Sequence, residues 1–301
     1  MLKINNTRTG KIVIENFQGY LFILPALIIL GVFFIYPAIE LFGLAYTDYS
    51  LMSGKGSFIG LANFKALLDN GDFLNSLLVT FKLALFIVPV QTIIAMVMAV
   101  FVNQKLMGMK IFRTIYFIPA ITSFVAVAIM WKQIYNPTFG LANSVLGLLN
   151  LGPFQFLSSK SQALISVAIT CIWKSWGYFM VIFISGLQDI PAEIQEASYI
   201  DGANQMKRFF YITVPMLRKV TLFVMIITTM DAIKLFIPSF TMTAGGPLGS
   251  TDTAVHYIWR QAFRLQQVGP ATAMSTVLFL IIIIITVLQL KVDGRNDEGG
   301  R

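Results

Sequence analysis

The chain reads as an all-α, polytopic membrane protein with six transmembrane helices, and three observations carry that reading. Hydrophobic residues fill 56% of its 301 positions and charged residues only 12%, with a mean hydropathy of +0.75, a balance outside the range of soluble domains. Six apolar runs each reach the roughly 20 residues that a bilayer core demands. Lysine and arginine gather in alternate connections between those runs, the charge asymmetry that orients membrane helices.

Residues 1–19 are polar, carry Lys3, Arg8 and Lys11 against Glu15, and are expected to form a cytoplasmic N-terminal segment. The first apolar run, Tyr20 to Tyr46, is too long for a signal-peptide core and has no clear small-residue cleavage site, so it is expected to stay as the first span. The others are Leu77 to Val102, Ile115 to Ile134, Ala163 to Leu187, Val220 to Met242 and Ala271 to Leu290. Backbone polar groups cannot go unpaired in lipid, so each is expected to be a helix. Together they make one six-span domain, 20–290, followed by a polar cytoplasmic tail, 291–301.

Thirteen Lys and Arg residues fall in the N-terminal segment, the connection 104–114, the loop 188–219 and the tail, against five in the alternate connections. The bias places both termini and the 188–219 loop in the cytoplasm. A net charge of +8 then needs no nucleic-acid partner, because an anionic cytoplasmic leaflet attracts basic loops. With a single cysteine, Cys171, and a single histidine, His256, neither a disulfide framework nor a metal site is expected.

Within the 188–219 loop, Glu196 to Pro215 is the long polar interval with helical order. Pro191 ahead of Ala192, Glu193 and Glu196 looks like a helix start, with Asp189 as candidate N-cap and acids where the helix dipole favours them. Gly202 is expected to stop that helix. A second amphipathic piece follows, with Phe209, Phe210, Ile212 and Val214 apolar and Lys207 and Arg208 wet, closed by Pro215. Two short helices joined at a glycine make a knob that projects from a membrane; an ordinary interfacial loop fits the same residues.

The order Glu196-Ala197-x-x-x-Asp201-Gly202-Ala203, with Ile212 nine residues later and Pro215 three further, resembles the EAA motif of the permease subunits of binding-protein-dependent ABC importers, in particular the maltose-permease type. Leu24-Pro25-Ala26, Gly60-Leu61-Ala62-Asn63-Phe64, Arg113 to Pro119 and Ala244-Gly245-Gly246-Pro247 are similar to landmarks of the same family. Ser198 stands where the family has the motif's second alanine. The resemblance implies the type I ABC importer permease fold and a coupling helix that docks on a cytoplasmic ATPase, with Glu196, Ala197, Asp201, Gly202, Ile212 and Pro215 as coupling residues. It also implies a second, related permease subunit, two copies of the ATP-binding subunit, an extracytoplasmic solute-binding protein and a carbohydrate solute, in a bacterial cell membrane. No cofactor is expected in this chain; ATP and Mg would be bound by the partner ATPase. The large extracytoplasmic insert of some maltose permeases is absent.

The chain has no G-x-x-x-x-G-K-[ST] and no nucleophile–base set, so it is not expected to be an enzyme. Ionisable residues inside apolar runs are the remaining signal: Lys82, Lys132, Lys174, Asp231 and Lys234. A charge near the bilayer centre costs at least ~3 kcal/mol on insertion scales. Lys82 and Lys132 lie near span ends, where the amine can snorkel. Asp231 and Lys234, three apart, share a helical face and can neutralise each other. The string Trp173-Lys174-Ser175-Trp176-Gly177-Tyr178 combines flat apolar faces with donors and acceptors, as sugars require, or is a packing cluster. The resemblance places solute contacts on Lys174, Ser175 and Tyr178 before the loop and on Thr228, Asp231, Ala232 and Leu235 after it. Lys174 and Asp231 are more charged than the family pattern, which implies a different solute or a pair across the cavity. A self-sufficient secondary carrier or channel remains the alternative to an importer subunit.

Overall fold

The computed structural model describes residues 20–104 and 108–298, so the expected segment at 1–19, Lys105 and residues 299–301 lie outside the described residues. Among the described residues the chain is helical, with isolated bridges in place of strands. It divides into two compact units, residues 1–65 with 261–276 and residues 66–260 with 277–301.

In the first unit, α1 (Tyr20–Leu44) is long and apolar enough to cross a membrane, and none of its most apolar window is buried. It passes through a π-turn, Gly31–Ile35, just before Pro37. The wider turn accommodates a residue that lacks an N–H donor. The chain leaving α1 is held by Asn63, whose Nδ2 donates to the carbonyls of Ala45 at 2.9 Å and Thr47 at 2.8 Å. A side chain at Gly269 would stand 2.0 Å from the Thr47 oxygen, so two backbones touch there and only glycine fits.

The second unit takes in α2 (Ala62–Asp69) from Ala66 onward, then α3 (Gly71–Val102), α4 (Met109–Ile121), α5 (Phe124–Ile134), α6 (Leu141–Leu148) and α7 (Lys160–Gln188). Next come α8 (Ala192–Ile200), α9 (Gln205–Met216), α10 (Arg218–Ile233), α11 (Ala254–Trp259) and the part of α12 (Val268–Glu298) from Val277. Its spine is the pair α3 and α7. Val79, Leu83 and Ile87 pack with Val167, Cys171 and Ile172, and further along Ala95 and Ala99 pack with Phe179 and Phe183, so the two helices run parallel. In lipid the apolar effect does not draw helices together; close packing does, and small residues on α3 receive large ones from α7. Gly177 on α7 lies against the backbone of Tyr116 on α4.

Four helices, α1, α3, α7 and α12, satisfy the length and apolarity of a span, and six do if each bent pair counts as one. The expected third span, Ile115 to Ile134, is therefore not one straight helix. It breaks at Thr122 and Ser123, both extended, and α4 and α5 meet at 97°. Pro119 removes one rung of the ladder just upstream, and Thr122 turns its hydroxyl back onto the Ile118 carbonyl at 3.0 Å. The expected fifth span, Val220 to Met242, ends early, because α10 stops at Ile233 with Lys234 as its C-cap. Pro238 disfavours helix at the residue before it. The exposed rung is satisfied from elsewhere: Thr253 donates its hydroxyl to the Leu235 carbonyl at 2.7 Å. Beyond it Asp252 holds His256 at 2.6 Å and Arg260 at 3.0 Å, pinning the start of α11. At the other end α12 runs on past Leu290 to Glu298.

Candidate functional site

Two constructions stand out in the second unit, an exposed helical knob and a cavity. The knob is α8 and α9. Asp189 is not the N-cap of α8, as its sequence position suggested; it still has right-handed helical angles and is the C-cap of α7. Ile190 is buried, and Pro191 takes the N-cap position in an extended conformation. The residue before a proline leaves the helical region, so the turn is fixed at Ile190-Pro191 and not at the acid.

Gly202 ends α8 in the left-handed region at φ +73°. The Gly202 N–H donates to the Tyr199 carbonyl and the Ala203 N–H to the Ser198 carbonyl, both at 3.1 Å, which is the paired bonding of a Schellman turn. Asn204 then caps α9, its side chain accepting from the Lys207 N–H at 2.8 Å. Arg208 lies over the Tyr199 ring at 5.1 Å and ties the two arms together. Pro215 does not close α9: a π-turn at Phe209–Thr213 absorbs it and the helix runs on to Met216.

Within α8 only Ser198 faces inward, with its hydroxyl donating to the Gln195 carbonyl at 2.7 Å. A small residue at that position follows from this burial. Glu196, Ala197, Asp201 and Gly202 are exposed, Pro215 also, and Ile212 is half-buried. The apolar side chains of the knob are exposed too: Ile200 is 85% accessible, Tyr211 80% and Tyr199 70%. Residues of this type left uncovered mark a contact surface, for protein or for membrane.

The cavity, of about 530 Å³, opens between α3, α5, α7 and α10. Of the sequence-predicted residues, Lys174 and Ser175 line it from α7, Thr228, Asp231 and Ala232 from α10, and Leu235 from the segment beyond. Tyr178 is not among the lining residues; its ring packs edge-on against Phe179. Trp173 and Trp176 likewise pack against Trp131 and Tyr116. The aromatic faces that do line the cavity belong to Phe124 and Phe236, and a further amide to Gln91. Nothing in the local sequence singled these three out: Gln91 and Phe124 come from helices distant along the chain, and Phe236 follows Leu235 in the irregular segment after α10.

Lys174 donates to the Ala120 carbonyl at 3.0 Å, with its ammonium 5.2 Å from the Phe124 ring centre. An ammonium has three donors, so two stay available. Asp252 forms ion pairs with His256 and Arg260, and Asp231 joins neither Lys174 nor Lys234 within 4.0 Å. The carboxylate and the Lys234 amine, three residues apart, both stand exposed, because α10 ends between them. Thr228 is 1% accessible and its hydroxyl has no hydrogen-bond partner. A cavity with a carboxylate, two amines, a free hydroxyl and two aromatic faces can hold a polyhydroxylated solute.

A family model described as binding-protein-dependent transport system inner membrane component matches residues 56–297. Over 291 residues the chain is 31% identical to the trehalose/maltose transport system permease protein MalF of Thermococcus litoralis, covering 96% of this chain and 98% of that one. It is also 31% identical over 278 residues to the arabinooligosaccharides transport system permease protein AraP of Bacillus subtilis, covering 91% and 88%. Among solved structures, a bacterial ABC transporter involved in the import of the acidic polysaccharide alginate has the same fold. That match has a TM-score of 0.83 at 21% identity over 96% of this chain and 99% of that one.

Proposed function

We infer the function from one premise: the chain belongs to the family of inner-membrane components of binding-protein-dependent transport systems. On that premise it is the permease subunit of an ATP-driven carbohydrate importer. Relatives named for trehalose/maltose and for arabinooligosaccharides support the solute class. The cavity between α3, α7 and α10 is this subunit's part of the pathway, with Lys174, Ser175, Thr228, Asp231, Ala232 and Leu235 facing the solute. ATP and Mg are handled by a partner. The chain pairs with a second permease subunit, two ATP-binding subunits and an extracytoplasmic solute-binding protein, and both its termini lie in the cytoplasm.

The observation that carries this reading is the knob. A rigid helix pair that leaves Tyr199, Ile200 and Tyr211 uncovered has a use in a protein that docks on another and none in a self-sufficient carrier. Glu196 is exposed there to pair with a basic residue of the ATPase, and Ala197 and Gly202 permit close approach. Purification from the native membrane should bring down a second permease and an ATPase, and proteoliposomes should take up sugar only with ATP and the solute-binding protein. Transport by this chain alone, without ATP, would overturn the assignment in favour of a carrier or channel.

A further inference from the structure

We propose that the carbohydrate carried through this cavity is anionic, bearing a carboxylate or a phosphate. The inference rests on the permease reading and narrows it to a solute class. Two amines, Lys174 and Lys234, line the cavity against one carboxylate, Asp231, so this wall carries net positive charge. A surplus cation beside apolar helices is costly unless an anion or water compensates it. The protein compensates the two amines only in part: Lys174 has a carbonyl and an aromatic face, and the one carboxylate among the described residues that acts on both lysines, Asp231, stands beyond 4.0 Å of either.

A second, independent observation points to a ligand in the same space. Thr228, 1% accessible and among the lining residues, has a buried hydroxyl with no partner in the chain, and Gln91, 3% accessible, lines the cavity from α3. Hydroxyl and amide groups of this kind read the neutral hydroxyls of a sugar, while the amines read its charge. The same sign continues along the path. Two turns further on α5, Lys132 faces a neighbouring cavity of about 370 Å³ whose lining contains no acid. A neutral sugar gains only hydrogen bonds from three amines; an anionic one also gains their charge and is drawn past each in turn.

The test is binding to the chain purified with its accompanying subunits, without ATP or solute-binding protein, so that selectivity upstream does not intrude. Titration calorimetry would compare digalacturonate, glycerol 3-phosphate and the neutral galactobiose. We expect at least one of the two anions to bind about tenfold or more tighter than galactobiose, with an affinity that falls as salt rises, and the preferred anion identifies the charged group. Lys174→Met and Lys234→Met should each lower the anion-to-neutral ratio several-fold, whereas Asp231→Asn should raise it. A residue that only supports the fold would change both affinities together and leave that ratio alone. Galactobiose binding as well as both anions, or an unchanged ratio in both lysine variants, would overturn the proposal. Binding selectivity without ATP-dependent uptake would instead overturn the importer reading while leaving the anionic site intact.

Discussion

At Gly177 a methyl group would stand 1.9 Å from the carbonyl oxygen of Tyr116, so α4 and α7 meet backbone to backbone at that point and the position admits no side chain. Gly177→Ala should force the helices apart at a cost of about 1–3 kcal/mol, read as a lower thermal midpoint of the purified complex. Gly43→Ala, where a methyl meets nothing within 4 Å, should leave the midpoint unchanged. Thr228 predicts the opposite split. Its hydroxyl has no partner in the chain, so Thr228→Val should fold with normal yield. Solute capture should weaken roughly 3- to 10-fold, the worth of one hydrogen bond of about 0.5–1.5 kcal/mol. Charge inside an apolar run is visible in a sequence, and Lys174 and Asp231 could be read from it. Gln91, Phe124 and Phe236 could not, since an amide or a phenylalanine in a span is unremarkable until the helices that bring it inward are placed.

Helix ends followed the same divide between local and distant causes. Gly202 was legible as a stop because the left-handed conformation at the end of a helix is a local demand, and the Schellman turn meets it at φ +73°. The breaks after Ile121 and Ile233 lie inside runs long and apolar enough to read as single spans, although Thr122-Ser123 and the Asp231/Lys234 pair interrupt their hydropathy. Only the prolines at 119 and 238 hinted at them, and the Thr253 hydroxyl that satisfies the second break lies 18 residues away along the chain. The turn at Gly202 offers a test of what lies outside the chain. No atom stands within 4 Å of a methyl at this position, so alanine adds backbone strain of about 1–2 kcal/mol and no clash. Gly202→Ala should therefore keep most stimulated ATP hydrolysis and uptake. Gly202→Trp adds bulk that only a docked partner can meet, and it should abolish uptake while leaving complex yield and solute-binding-protein docking intact. Equal behaviour of the two variants would show that nothing seats there.

For the whole molecule, composition and charge bias sufficed to give a helical membrane protein and the motif to give its family, while the number of straight spans needed the structure. Knob and cavity wall are consecutive stretches of one chain segment, because α9 ends and α10 begins at Leu217, which is fully buried. At that junction Gly186 on α7 lets Val220 and Leu217 approach closely enough that a methyl there would stand 2.7 Å from the Val220 side chain. We expect this joint to act as a fulcrum, with a short arm in the knob and a long arm in α10. Asp231 lies 13 residues from Arg218, about 20 Å along the helix axis. A swing of about 10° at Leu217 thus carries the carboxylate roughly 3 Å, on the order of one hydrogen bond made or broken. Paired spin labels on Ile165 of α7 and on residue 231 should report that travel between the resting and nucleotide-bound complexes, and Gly186→Val, which jams the joint, should abolish it.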